Sequence, residues 1–83
     1  MDGLIEGRIV HYVLGEGPME GEHRPAIVVK VWYPETGTCN LQVFCDSDAS
    51  GSANDKLPPV MWATSVSYDA NHAPYTWHWP EPA

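Results

Sequence analysis

The chain has 83 residues, of which 43% are hydrophobic, and its eleven acidic and four basic residues give a formal net charge of −7. This length fits one small domain, and the hydrophobic content is too high for a disordered chain. Proteins that track DNA or RNA phosphates carry a basic patch, which an acidic chain does not favour. We therefore expect a single globular domain, residues 1–83, that binds neither DNA nor RNA.

The sequence predicts neither a membrane segment nor a secreted protein. No apolar run approaches the roughly 20 residues that span a bilayer. The first ten residues, "MDGLIEGRIV", place acids before the apolar stretch, whereas a signal peptide begins with basic residues. Cys39 and Cys45 would lie about 20 Å apart along one strand, too far for a disulfide. We expect a cytoplasmic protein with two buried thiols.

Five segments have the alternating or β-branched pattern of strands, and turn residues bound each of them. In chain order they are 7–14, 24–33, 39–45, 60–68 and 75–79. None has the apolar period of 3.6 residues that indicates a helix. The pattern predicts an all-β fold, a small five-stranded antiparallel SH3-like barrel, with an OB-like barrel as the alternative.

Pairing the first two segments across the loop between them suggests which residues face the core. This register places Leu14 opposite Arg24 and Arg8 opposite Lys30. The predicted core face then carries Ile9, Val13, Ile27, Val29 and Val31. The opposite face carries Arg8, Tyr12, Arg24, Lys30 and Trp32. A slip of one residue would exchange the two faces.

Metal binding and catalysis find little support in the residue spacing. Residues 46–57 match five positions of an EF-hand loop, but Leu57 stands where a bidentate Glu is needed and no helices flank the loop. The four histidines and two cysteines show no zinc-ligand spacing. No arrangement assigns a nucleophile, a base and an orienting group. We therefore predict no metal site, no cofactor and no enzymatic activity.

Aromatic residues are the most informative feature, with four Trp and four Tyr. In the last segment Tyr75, Trp77 and Trp79 alternate onto one face, and Thr76 and His78 onto the other. This face either closes the core or lines a cleft where a nucleobase stacks, at about 1–3 kcal/mol per base. We expect Trp77 to contribute to core closure, while His78 and Trp79 lie at the functional edge of the strand.

The chain resembles a family of short, largely uncharacterised small β-barrel proteins encoded by bacteriophages and prophages. The resemblance lies in an ordered set of motifs: "GRIVHYVL", "HRPAIVVKVW", "NLQVF", "ND" at 54–55, "WATSVSYD" and "TWHWPE". It covers most of the chain and implies a phage protein that acts in the host bacterial cytoplasm or belongs to the virion. Such proteins commonly sequester immune nucleotides, inhibit a host protein or serve as minor virion parts.

Among these classes we predict a non-enzymatic anti-defence protein, a homo-oligomer that sequesters a small nucleotide such as a cyclic oligonucleotide or an ADP-ribose derivative. The residues predicted to stack on the nucleotide or to contact its phosphates are Tyr12, Arg24, Trp32 and Trp77, with Arg8, His11 and His78 as further candidates. The acidic charge repels phosphates and suits a basic protein surface. Inhibition of a host protein and a role in the virion tail or head are therefore kept as alternatives.

Overall fold

A computed structural model describes residues 1–17, 19–45 and 59–81, which form five β-strands closed into a barrel. The strands are β1 (Ile9–Val13), β2 (His23–Tyr33), β3 (Thr38–Phe44), β4 (Val60–Tyr68) and β5 (Thr76–His78). The predicted all-β five-stranded barrel is confirmed. The EF-hand-like segment 46–57 lies outside the described residues. Within the described ranges no helix has the length and hydropathy to cross a bilayer.

Consecutive strands are neighbours, and β5 closes the ring beside β1. Four of the five seams are antiparallel, whereas β4 and β5 run parallel through Ser67–Thr76 and Tyr68–Trp77. The prediction of a purely antiparallel barrel is wrong at this seam. Strand directions cannot alternate all the way round a closed ring of five, so one pair must be parallel.

The core fills the barrel with aliphatic side chains around one indole. Trp77 is the largest fully buried side chain, and its Nε1–H donates to the carbonyl oxygen of Gly37 at 2.7 Å. Because the indole N–H has a hydrogen-bond acceptor, the apolar body of the Trp is buried without the free-energy cost of an unpaired donor. Cys39 and Cys45 are both buried, which confirms the prediction of two buried thiols.

The predicted pairing of β1 with β2 is wrong by two residues, and the predicted core face is wrong at Ile9 and Val29, although Val13 on that face is buried as predicted. Tyr12, not Leu14, lies opposite Arg24. Ile9 is 58% and Val29 42% exposed, while the opposite face turns inward. The inward side chains are Val10 and Tyr12 of β1, Leu14 directly after it, and Ala26 and Val28 of β2. Because β1 is apolar on both faces, alternation alone does not identify the buried one.

An irregularity in β2 explains why the predicted core face is correct near the end of that strand. The register against β3 shifts between Val28 and Lys30, as a β-bulge produces. Val31 consequently packs against the core, as predicted, and Lys30 and Trp32 are exposed. One extra residue thus exchanges the two faces of β2 halfway along its length.

Candidate metal centre

All four histidines of the chain lie together beside β1. His11 on β1 lies opposite His78 on β5. On the other side of β1, His11 lies opposite Pro25 of β2, which is two residues after His23. Residues directly or diagonally opposite across an antiparallel pair share one face of the sheet. His11, His23 and His78 therefore meet on the face of β1 that points away from the core, and His72 joins them from the turn before β5.

Glu81 brings a carboxylate into the centre of the three strand histidines. Its Oε2 lies 2.7 Å from Nδ1 of His11. Its Oε1 lies 2.8 Å from Nδ1 of His23 and 2.5 Å from Nε2 of His78. Pro80 precedes Glu81 and restricts the backbone there, because its ring fixes φ. A single carboxylate thus contacts three imidazole rings that come from three different strands.

The four side chains lie close enough together to share one metal ion. One donor atom from each of His11, His23, His78 and Glu81 lies within 4.8 Å of every other. Zinc bonds of about 2.0–2.1 Å place tetrahedral donors about 3.3 Å apart, so the side chains would have to rotate to bring the four atoms to bonding distance. Imidazole nitrogens with one carboxylate suit zinc and similar transition metals better than calcium or magnesium, which prefer oxygen donors.

The protonation states of His78 and Glu81 near neutral pH also suit metal binding. Burial lowers the pKa of His78 below its usual value, and the neighbouring His72 and His23 lower it further, although contact with Glu81 opposes this. A hydrogen bond from its own backbone N–H is the largest cause that lowers the pKa of Glu81 to about 2, and His11 and His78 add to it. Metal ligands must be neutral imidazole and ionised carboxylate.

The structure separates the seven residues that the sequence predicted as one nucleotide site. Tyr12 is 4% exposed and Trp77 is not exposed, so both rings belong to the core and neither offers a face for stacking. The placement of Tyr12 on a surface beside Arg24 and Trp32 is therefore wrong, and the expectation that Trp77 contributes to core closure is confirmed. His11 and His78 lie in the histidine cluster instead.

Arg24 is already occupied by contacts within the chain. Its Nε donates to the carbonyl oxygen of Cys45 at 2.9 Å, and Nη1 donates to that of His23 at 3.1 Å. Nη2 forms an ion pair with Glu22 at 2.8 Å. A phosphate approaching Arg24 would have to displace the Glu22 carboxylate. The guanidinium therefore holds the start of β2 rather than offering an anion site.

Arg8 and Trp32, the other two residues of the predicted nucleotide site, have different neighbours. Arg8 lies above the Trp79 ring, with Cζ 5.8 Å from its centroid. Trp32 is 46% exposed, lies 3.9 Å below Nζ of Lys30, and donates from Nε1 to Asn40 at 2.9 Å. Trp32 is thus the only exposed aromatic ring of the predicted set.

Sequence spacing missed the cluster because its members are brought together by strand pairing. His11 and Glu81 are 70 positions apart, and no local motif links them. One signal was available: in a five-stranded barrel that closes on itself the first and last strands are neighbours, and each carries a histidine. The prediction of no metal site rested on spacing within short segments, which does not test contacts between strands.

Comparisons with protein families, curated proteins and solved structures found no match to the chain. The similarity to small phage proteins therefore stays a prediction.

Proposed function

We propose that the chain binds one divalent transition metal ion, for which zinc is the best fit, through His11, His23, His78 and Glu81. The observation that carries this proposal is the convergence of four donor atoms within 4.8 Å from β1, β2, β5 and the residues after β5. The ion would join these strands on the outside of the barrel and so stabilise the fold.

A structural role fits this donor set better than a catalytic one. Structural zinc sites have four protein ligands, whereas catalytic sites keep one position for water or substrate. Here three imidazoles and Glu81 supply all four positions of a tetrahedral shell. A domain of this size also has a small core, and a metal ion is one of the usual ways to stabilise such a domain.

Sequestration of a nucleotide signal stays a separate prediction. Trp32 and Lys30 together present an exposed ring and a cation, which is the part of the predicted site that favours it. Burial of Tyr12 and Trp77 removes the other stacking surfaces. The geometry therefore supports metal binding more strongly than nucleotide binding.

Titration calorimetry of the metal-stripped protein with zinc tests the proposal. We expect one ion per chain in the wild type. His23→Ala and Glu81→Gln should each weaken binding at least tenfold, because each removes a ligand. Glu16→Gln is the matched control, since Glu16 is an exposed carboxylate whose side chain makes no contact in the described structure. Absence of zinc binding in the wild type, or equal affinities for the two Gln variants, would overturn the proposal.

A further inference from the structure

His72 is the one histidine that lies outside the group of four donors, yet it has the closest ring contact in the cluster. Its ring stacks on that of His78 with the centroids 3.7 Å apart and the planes at 24°. It also meets His23 edge to face, with centroids 5.0 Å apart and planes at 89°. One ring thus contacts two of the proposed ligands.

The His78 imidazole lacks the contact that usually orients a metal-bound histidine. In most metal sites the second ring nitrogen of the ligand donates to a carboxylate or a carbonyl, and this fixes the ring. Nδ1 of His78 is buried and has no hydrogen-bond partner among the described residues. Its Nε2 nevertheless points at Glu81. The plane of this ring is therefore held by ring contacts, which are edge contacts with His11 and His23 and the stack with His72.

The turn that carries His72 is itself firmly held. His72 has a φ of +63°, in the left-handed region that costs energy for residues other than glycine. Its N–H donates to the carbonyl oxygen of Asp69 at 3.1 Å. The Asp69 carboxylate accepts from the backbone N–H of Asn71 at 2.9 Å and of Ala73 at 3.3 Å. These bonds fix the backbone in the conformation that lays the His72 ring on His78.

We propose that His72 is a positioning residue of the metal centre: its ring holds the His78 imidazole in the plane that directs Nε2 at the ion. This inference rests on the proposed function and adds a residue to it. Stacking needs a flat ring but does not need a ring nitrogen. An aromatic residue without nitrogen should therefore hold the His78 ring in the same way. A fifth ligand, by contrast, would need the nitrogen.

Two substitutions separate these roles. His72→Asn removes the ring and keeps a residue that tolerates left-handed backbone, so it adds little strain. His72→Phe keeps a flat ring and removes both nitrogens. By calorimetry with zinc we expect a tenfold to hundredfold loss of affinity for His72→Asn, the range found for groups that orient ligands. For His72→Phe we expect an affinity within about threefold of the wild type.

Cobalt supplies a second readout on the same variants. The visible absorption of bound cobalt depends on the identity and geometry of its ligands, so His72→Phe should leave the wild-type spectrum unchanged. A changed cobalt spectrum for His72→Phe would make His72 a ligand, and equal losses of affinity in the two variants would show that a flat ring is not enough; either result would overturn the inference. Wild-type affinity in His72→Asn would also overturn it. If the wild type itself binds no metal, the proposed function fails, and this outcome is distinct from a failure of His72 alone.

Discussion

Gly37 has a conformation and a position that only glycine satisfies. Its φ is +80°, and a Cβ there would lie 2.8 Å from Cβ of Tyr68 and 3.2 Å from the Trp77 ring. Gly7 has a φ of +93° but open space around it, so Gly7→Ala costs backbone strain alone. We expect Gly37→Ala to lower the free energy of unfolding in urea by about 1–3 kcal/mol more than Gly7→Ala, because it overpacks the core as well. Equal losses would show that the core accommodates the methyl group.

Cys39 should make the stability of the barrel fall in alkaline solution. Burial raises the pKa of its thiol from 9.0 to about 11. The folded state therefore favours the protonated thiol, and this contribution is complete below pH 9 and is lost as the pH rises towards 11. The loss amounts to about 2–3 kcal/mol at most. Cys39→Ala should show a smaller decrease between pH 9 and 11 than the wild type when unfolding is followed in urea.

Tyr12 titrates at high pH as well, because burial raises its pKa too. It is present in both the wild type and Cys39→Ala, so the difference between their pH profiles reports the thiol. Parallel profiles over this range would contradict the prediction for Cys39.

At the scale of the strands, the local sequence pattern predicts where each strand lies but not which of its faces points to the core. The predicted segment 60–68 coincides with β4, and 24–33 differs from β2 by one residue, because turn residues bound each apolar run. The register of β1 against β2 was missed because the loop between them holds several glycines and does not set a pairing. The bulge after Val28 leaves no mark in the sequence either.

β5 shows how tertiary contacts define an element that is weak by itself. It has three residues and pairs through two residue positions with each neighbour. Its side chains alternate between two layers: Trp77 enters the core, and His78 enters the histidine cluster. The short strand is therefore held mainly by the contacts of its side chains with the core and with the histidine cluster. This is why the alternation of the last segment was predictable but the partners of His78 were not.

Across the whole molecule, the histidine cluster and the exposed apolar surface both result from barrel closure. The sequence shows the composition of the cluster, four histidines and many acids, but only the strand order brings His11, His23 and His78 together. Closure likewise aligns residues from separate segments on the outside. The pairing runs from Ile9 to Ile27, then to Gln42 and Trp62, across four strands.

This row of four residues carries no charge although the chain has a net charge of −7. Ile9 is 58% and Trp62 52% exposed, and exposed apolar surface of this kind is typical of interfaces. The row itself contains no acidic side chain, so we expect the predicted homo-oligomer to form here. Trp62→Glu should shift the protein to monomer in sedimentation velocity across a concentration series, because it buries a charge in the interface.

Tyr33→Glu is the matched control for Trp62→Glu. Tyr33 is 59% exposed, but it pairs with Thr38 at the far end of β2, outside the row. Its replacement adds the same charge to the molecule, so any effect of net charge on association appears equally in both variants. A selective loss of association in Trp62→Glu assigns the interface to the uncharged row. Equal sedimentation of the two variants, or a wild type that is monomeric at every concentration, would contradict assembly through this face, since the two variants have the same net charge and carry the new carboxylate at different places on the barrel.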